Sequence, residues 1–502
     1  MSYGAATSFS TQDTEKFQKE VLMHSALRIK LANDGKKASA YEASALSGAT
    51  FNHCVMGQLL NVKEGFQLGP GQISDFRWDF KNHWYELELA SGLRFHNGRD
   101  ATIDDLEFSI SRAFYAKKML GESMKMQGIL GSDKIIRGSG FQPWSISGIQ
   151  RLSNRSLRIS MANPNPKILY ALSHSKIILV PREELEDDLT TWKHNAVGAG
   201  NFRVVQNAQV ESGSVLVESL SKLNARSPTF VEFLSGPSSN EPDIVALEPS
   251  MPNAKKYQKV DVGYVYGIVG IFFNYGNMLS RNHLFREAVW KAISRGNLEH
   301  NSDAFIPTNE ILPHHFPGRL NVPERYDPEE SKKLVSKLKF DMGKEPLEMP
   351  AFNMERKGDN EKLMLSIERQ LDAVGLKTQI KSSQKKLLDS TDAKVPFRLV
   401  TIVTDYIDPL LILSAFAKGS PNTLMFPQNN EGYLQVLLDA RNAASTAEQE
   451  EKSKKLSEIF QKEFYAVPLL ERKALFWVDN QKVETLGKQY LSTLFVEHII
   501  LK

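Results

Sequence analysis

A single cysteine, Cys54, stands in 502 residues. One thiol excludes an internal disulfide and any metal site built on several cysteines. Beside Phe51, Val55, Leu59 and Leu60 it reads as a small buried apolar residue, the rival reading being a reactive thiol. Neither sign of charge is in excess: 62 basic and 59 acidic residues leave a net charge of +3. That balance gives no electrostatic ground for nucleic acid or an anionic membrane surface as partner. Long apolar runs are missing too, since no stretch approaches the ~20 residues of a membrane-spanning helix. Neither Gly-x-Ser-x-Gly nor His-Glu-x-x-His occurs. Ser173 with Lys176 and Ser219 with Lys222 match Ser-x-x-Lys, but its companion motifs are absent. The adjacent His314 and His315 do not naturally converge on one ion, and no His-x-x-x-His accompanies them. No metal, cofactor or enzymatic activity is therefore expected. A carboxylate pair for glycoside chemistry leaves no spacing signature and is not addressed by these motifs.

What is present is a globular composition, 41% hydrophobic and 24% charged, long enough for two to four domains at roughly 100–200 residues each. Residues 1–26 read as a polar extension. Residues 1–31 show no basic start followed by an apolar core, so no secretory signal is visible. Three explanations stay open: a signal already removed, a gene start elsewhere, or a cytoplasmic protein.

The strongest local signal runs from Trp84 to Phe114. Tyr85, Leu87 and Leu89 alternate with Trp84, Glu86 and Glu88, the period of a half-buried strand. Asn97-Gly98 marks a turn, because both residues tolerate positive φ. Thr102 can cap the helix that follows. Asp105, three residues on, makes a near capping box with Asp in place of Glu. Leu106, Ile110 and Ala113 then share one face. Elsewhere, Leu27–Leu31 reads as a first strand and Ile177–Pro181 as a buried strand. Phe285–Arg295 and Asn360–Ala373 read as helices, and Tyr326–Leu338 as a helix with its lead-in, capped by Asp327. Phe397–Val403 reads as a strand, Ala466–Leu469 as a short strand and Leu494–Leu501 as a last strand. Strands alternating with helices argue for an α/β fold.

Two of these segments resemble a known family. Gly92-Leu93-Arg94-Phe95-His96-Asn97-Gly98 with Thr102-Ile103-Asp104-Asp105-Leu106 resembles the signature region of the family 5 extracytoplasmic solute-binding proteins, the peptide and nickel receptors of ABC importers. Phe285-Arg286-Glu287-Ala288-Val289-Trp290-Lys291-Ala292-Ile293-Ser294-Arg295 resembles a second signature of that family. Val197-Gly198-Ala199-Gly200-Asn201-Phe202 resembles its Gly-rich turn into a strand. The resemblance implies a two-lobed, periplasmic-binding-protein-like α/β fold of class II. That is the large type, with an extra subdomain in lobe 1 and the ligand cleft between lobes. On this template residues 27–45, 165–260 and 480–502 form lobe 1, 46–164 the extra subdomain and 261–479 lobe 2. The usual Asp-Pro after the first strand is missing, and Leu220–Asn224 replaces the motif expected after the Gly-rich turn.

Thr404-Asp405-Tyr406-Ile407-Asp408-Pro409 follows a strand, and ligands of α/β sheets gather at strand carboxyl ends. It resembles the Asp-Tyr motif of oligopeptide receptors, which implies that Asp405 pairs with the ligand's ammonium. The competing role for Asp405 is a cap or a solvated loop residue. Asp408-Pro409 reads as a turn and helix cap. Thr404 and Tyr406 flank Asp405. Arg356 is a candidate for the ligand carboxylate, with a solvated loop as its competitor. Tyr266 and Trp477 are possible pocket walls, with core packing as theirs. The resemblance further implies an extracytoplasmic protein and a membrane permease partner. Its ligand would be a short peptide or other small polar molecule, and a monomer is expected. The alternative is a sensing or orphan receptor domain of the same fold that binds another small molecule and does not import.

Overall fold

A computed structural model describes residues 25–30, 45–63, 67–79, 81–119, 126–162, 167–205, 214–234, 241–247, 255–338, 345–352, 354–383, 394–403, 407–417, 430–489 and 493–502. β1 (Leu27–Lys30) opens it, as the alternation of Leu27 and Ile29 predicts. β2 (Leu60–Val62) pairs with β3 (Leu68–Pro70). β4 (Ile73–Asp79), β5 (Trp84–Leu89), β6 (Ile149–Arg151) and β7 (Ser156–Ser160) form an antiparallel sheet in the order β4-β5-β7-β6.

β8 (Phe202–Val204), β9 (Val215–Ser219), β10 (Phe230–Leu234), β11 (Ile244–Ala246) and β12 (Tyr257–Phe273) belong to the main sheet. So do β13 (Phe305–Pro307), β14 (Leu347–Phe352), β15 (Thr378–Ser383), β16 (Phe397–Val403) and β17 (Ala466–Asp479). With β1 they make 11 strands, in the order β15-β14-β16-β12-β17-β11-β1-β10-β9-β8, with β13 added on β17. β18 (Val483–Thr485) pairs with β19 (Ile500–Leu501).

The sheet is continuous but serves two cores. The first gathers Leu27 and Ile29 of β1, the helix Ile103–Tyr115, Tyr264, Tyr266, Phe476 and Val478. The second gathers Ile268 to Phe273, Phe285, Trp290, Leu399, Leu469 and Leu470. β12 therefore changes cores between Tyr266 and Ile268, and β17 changes near Leu475. The neighbours agree: β13 covers β17 at Leu470–Arg472, while β11 covers it at Phe476–Val478. Two long strands thus connect two lobes, and their pairing is irregular between Asp261 and Gly267, where Gly263 takes a φ of 73°. That φ suits glycine, which lacks the Cβ that crowds left-handed backbone.

The signature stretch is scaffold. Thr102 caps the helix Ile103–Tyr115 in a reciprocal box with Asp105, whose Oδ2 accepts from Thr102 N and Oγ1, each at 2.8 Å. Leu106, Ile110 and Ala113 are fully buried, at roughly 1.5–3 kcal/mol for each large side chain. His96 donates its backbone N–H to Gly198 O at 2.8 Å, and its Nε2 lies 3.0 Å from Gly200 O. Burial holds its pKa below the ordinary value, so it works as a packed neutral ring. Gly198 and Gly200 in turn lie against the end of the helix Ala45–Met56. A Cβ at either would collide with the carbonyl of Val55 or Cys54. Close approach, not positive φ, is what requires glycine here. Cys54 is buried, as its apolar neighbours imply.

Three segments differ from the sequence reading. Ile177–Pro181 is buried but forms no strand; Val180 N donates to Ser109 Oγ at 3.0 Å instead of to a sheet partner. Leu494–Leu501 is a 3₁₀ turn at Val496–His498 followed by the two residues of β19. The short strand expected at Ala466–Leu469 continues to Asp479.

Candidate functional site in the interlobe cleft

β17 carries a buried polar network where it passes between the two cores. Glu471 on β17 is almost fully buried. Its Oε2 lies 2.7 Å from His314 Nδ1, and its Oε1 accepts from the Arg319 guanidinium. Arg319 also donates to Leu312 O at 2.8 Å and to Thr308 Oγ1 at 3.3 Å, and lies 3.8 Å from Glu310. Glu310 is itself used up by the backbone N–H groups of Leu320 and Val322. A buried carboxylate is tolerable because two donors share its charge.

His315 packs on Tyr264, ring centroids 4.9 Å apart, and edge-on to His314 at 5.1 Å. Burial, then the charges of His314 and Arg319, push its pKa down to about 3, so it stays neutral. The two imidazoles stand at 86° and do not converge on one point. Among the described residues no cluster of three or more His, Cys, Asp or Glu side chains is arranged to hold a metal ion.

The sequence-derived candidates fall in different places. Thr404, Asp405 and Tyr406 lie outside the described residues. The strand before them is as expected: β16 ends at Val403, which pairs with Gly267, the residue between the two cores on β12. After them, Asp408 accepts from Leu410 N at 2.9 Å and caps the helix Pro409–Leu413, with Pro409 in its first turn. Tyr266 is fully buried in the first core, with the Arg472 guanidinium 5.4 Å from its ring centroid. Arg472 also donates to Leu247 O at 3.1 Å. Trp477 is half-buried on β17, in register with Val245 and Lys259. Arg356 makes a bidentate pair with Glu368, at 2.8 and 2.9 Å, and donates to Ile380 O at 2.6 Å. Its charge is thus engaged inside lobe 2, and a ligand carboxylate would have to compete with that pair.

Sequence reasoning missed the Glu471 network. Glu471, His314 and Arg319 lie too far apart in the chain for any spacing to relate them. A separate groove of about 470 Å³, lined by Leu320, Val322, Arg325, Glu458, Gln461 and Lys462, belongs to lobe 2 alone.

The sequence matches a family model described as bacterial extracellular solute-binding proteins, family 5 middle, over residues 69–218 and 238–423. No curated protein sequence matches significantly. Among solved structures, the Escherichia coli murein tripeptide binding protein MppA is similar at a TM-score of 0.76 and 16% identity, covering 95% of this chain and 98% of that one. A periplasmic oligopeptide-binding protein from Borrelia burgdorferi gives 0.76 at 19% identity, over 95% and 100%. The binding protein AgaA of A. tumefaciens R10, in complex with agropinic acid, gives 0.73 at 15%, over 95% and 99%. At these identities the likeness is one of fold: two lobes about an interlobe cleft.

Proposed function

Because this chain belongs to the bacterial extracellular solute-binding proteins of family 5, which are binding proteins of ABC transporters and not enzymes, we propose that it captures short peptides for import. The ligand's ammonium pairs with Asp405, and its backbone pairs with strand edges lining the cleft. Thr404, Tyr406 and Trp477 flank the ligand, and closure about β12 and β17 encloses it. The observation that supports this most is the end of β16, whose Val403 pairs with Gly267 at the border of the two cores and leads in sequence into Thr404-Asp405-Tyr406.

The protein works as an extracytoplasmic monomer that delivers its ligand to a membrane permease. Among the described residues no helix is long and apolar enough to cross a membrane. A second reading keeps the fold and changes the ligand: a receptor for another small polar molecule that does not import. It is supported by the agropinic acid complex, whose TM-score of 0.73 is close to the 0.76 of the peptide-binding proteins. Mass spectrometry of ligand co-purified from the native host separates the two. A peptide supports the first; a non-peptide ligand overturns it.

A further inference from the structure

Three charged residues, Glu471, Arg472 and Lys473, interrupt the apolar run of β17 where it passes between the two cores. Two of them are matched by opposite charge. Glu471 meets His314 and Arg319, and the Lys473 ammonium lies 3.0 Å from Asp261 Oδ2. Arg472 is the exception. Among the described residues it has no carboxylate at ion-pairing distance. Neutral groups hold it instead: it donates to Leu247 O at 3.1 Å, and its guanidinium carbon lies 5.4 Å from the Tyr266 ring centroid. The side chain remains partly exposed.

Its place in the sheet gives this meaning. Arg472 pairs with Gly267 of β12, and Gly267 pairs on its other side with Val403, the last residue of β16. β16 runs parallel to β14 in lobe 2. Leu247 directly follows β11, which runs parallel to β1 in lobe 1. Arg472 thus bridges the carboxyl end of a parallel strand in one lobe and the carboxyl end of a parallel strand in the other. Ligands of α/β sheets gather at such ends. The backbone is strained at the same point. Leu247 is a buried leucine at a φ of 63°, a conformation that crowds its Cβ, and strain of this kind clusters at ligand clamps.

A guanidinium here has exchanged water for one carbonyl and one ring face. The carbonyl takes only one of its N–H donors. The two contacts orient the fork in advance, so a planar anion is taken by paired hydrogen bonds with little further ordering. We propose that Arg472 is a specificity-determining contact that takes a carboxylate of the ligand at the floor of the interlobe cleft. This rests on the reading of that cleft as the ligand site, and it holds whichever residue takes the ligand's ammonium. The carboxylate belongs either to a peptide C-terminus or to a non-peptide acid.

The test is isothermal titration of the full chain with trialanine and trialanine amide, for wild type, Arg472→Gln and Arg472→Lys, together with native mass spectrometry of ligand retained through purification from the native host. Glutamine keeps a donor for Leu247 O and removes the charge. Wild type is expected to bind trialanine at least about tenfold more tightly than its amide, the worth of a charge-assisted hydrogen bond. Arg472→Gln brings the acid down to the affinity of the amide, and Arg472→Lys keeps a smaller preference. Equal wild-type binding of acid and amide, or a preference that survives Arg472→Gln undiminished, overturns the role of Arg472 and leaves the peptide reading standing. A wild type that binds neither peptide overturns the peptide reading, and the retained ligand then decides on Arg472. A retained non-peptide acid that Arg472→Gln loses supports the contact. A retained ligand without an anionic group, or one that Arg472→Gln holds as fully as wild type, overturns it. Binding neither peptide and retaining nothing overturns both readings. Melting curves show whether each variant is folded. If Arg472→Gln does not fold, Arg472→Lys decides, because its preference falls below that of wild type only where the guanidinium fork meets the ligand.

Discussion

Glu471 and His314 meet at 2.7 Å, carboxylate oxygen to Nδ1, across 157 residues of sequence, on the strand that joins the two lobes. Arg319 completes the site from the same loop region. The charge balance there is fine. Glu471 is buried, whereas His314 is about half exposed, so Arg319 is its better-shielded partner. Removing Arg319 leaves the buried carboxylate to the half-exposed His314. Arg319→Met is expected to cost about 3 kcal/mol of stability. The double variant Arg319→Met with Glu471→Gln recovers much of that, because no unpaired charge remains. Urea unfolding of the four members of the cycle measures both. An Arg319→Met loss under about 0.5 kcal/mol, the scale of an ordinary surface change, would mean the network does not hold the crossing strands.

Glu107 gives a pH dependence with a definite sign. It is buried on the helix Ile103–Tyr115, accepting from Ser111 Oγ at 2.7 Å and Trp144 N at 3.2 Å. Burial raises its pKa from 4.5 to about 7, against those two hydrogen bonds. The folded state therefore holds the proton more tightly than the unfolded chain. The associated stability is fully present below pH 4.5 and is lost as pH rises through 7. At about 1.4 kcal/mol per unit the total is at most on the order of 3 kcal/mol. Glu107→Gln removes the titration. The difference in melting temperature between wild type and variant is expected to change between pH 5 and 8 in that direction. A constant difference across that range excludes a raised Glu107.

Gly200 tests the packing of the Gly-rich turn. Its N–H donates to Val55 O at 3.0 Å, and the carbonyl of Cys54 occupies the space of a Cβ. Neither oxygen belongs to a flexible side chain, so the helix end must move. Gly200→Ala is expected to destabilise by about 2 kcal/mol or more, while Gly92→Ser, in open space but at positive φ, costs only about 1 kcal/mol. Denaturant midpoints of the two variants give the comparison. A loss at Gly200 no larger than that at Gly92 would mean that the helix end yields to the added methyl group.

The elements that were legible in the sequence are those whose causes are local. The Thr102 and Asp105 box, the caps at Asp327 and Asp408, and the alternation of Trp84–Leu89 all act within four residues or along one strand. The misreadings have a common cause. Ile177–Pro181 is apolar because it is buried, and an apolar run reports burial whether or not a ladder partner exists. β17 reads as ending at Leu469 because Glu471, Arg472 and Lys473 interrupt its apolar pattern. Their partners are His314 and Arg319, Leu247, and Asp261, all distant in sequence.

Arg356 and Asp405 separate scaffold from the site we propose. Arg356 spends its guanidinium on Glu368 and the Ile380 carbonyl, and Glu368 in turn accepts from Ile380 N at 2.6 Å. The pair joins β15 to the helix Gly358–Asp372, and its hydrogen bonds are worth about 1.5–3 kcal/mol to the fold. Partial exposure of Arg356 trims that figure toward its lower end. Arg356→Leu is therefore expected to lower stability by about 1–2 kcal/mol while leaving peptide affinity within about threefold. Asp405→Ala is expected to do the opposite, weakening binding by roughly tenfold to a hundredfold, the worth of one charge-assisted bond to an ammonium, with little change in melting temperature. Calorimetric titration with trialanine and thermal unfolding of both variants fill the four entries of this comparison. If Arg356→Leu loses affinity and keeps its stability, the guanidinium leaves Glu368 for the ligand, and Arg356 takes the ligand carboxylate.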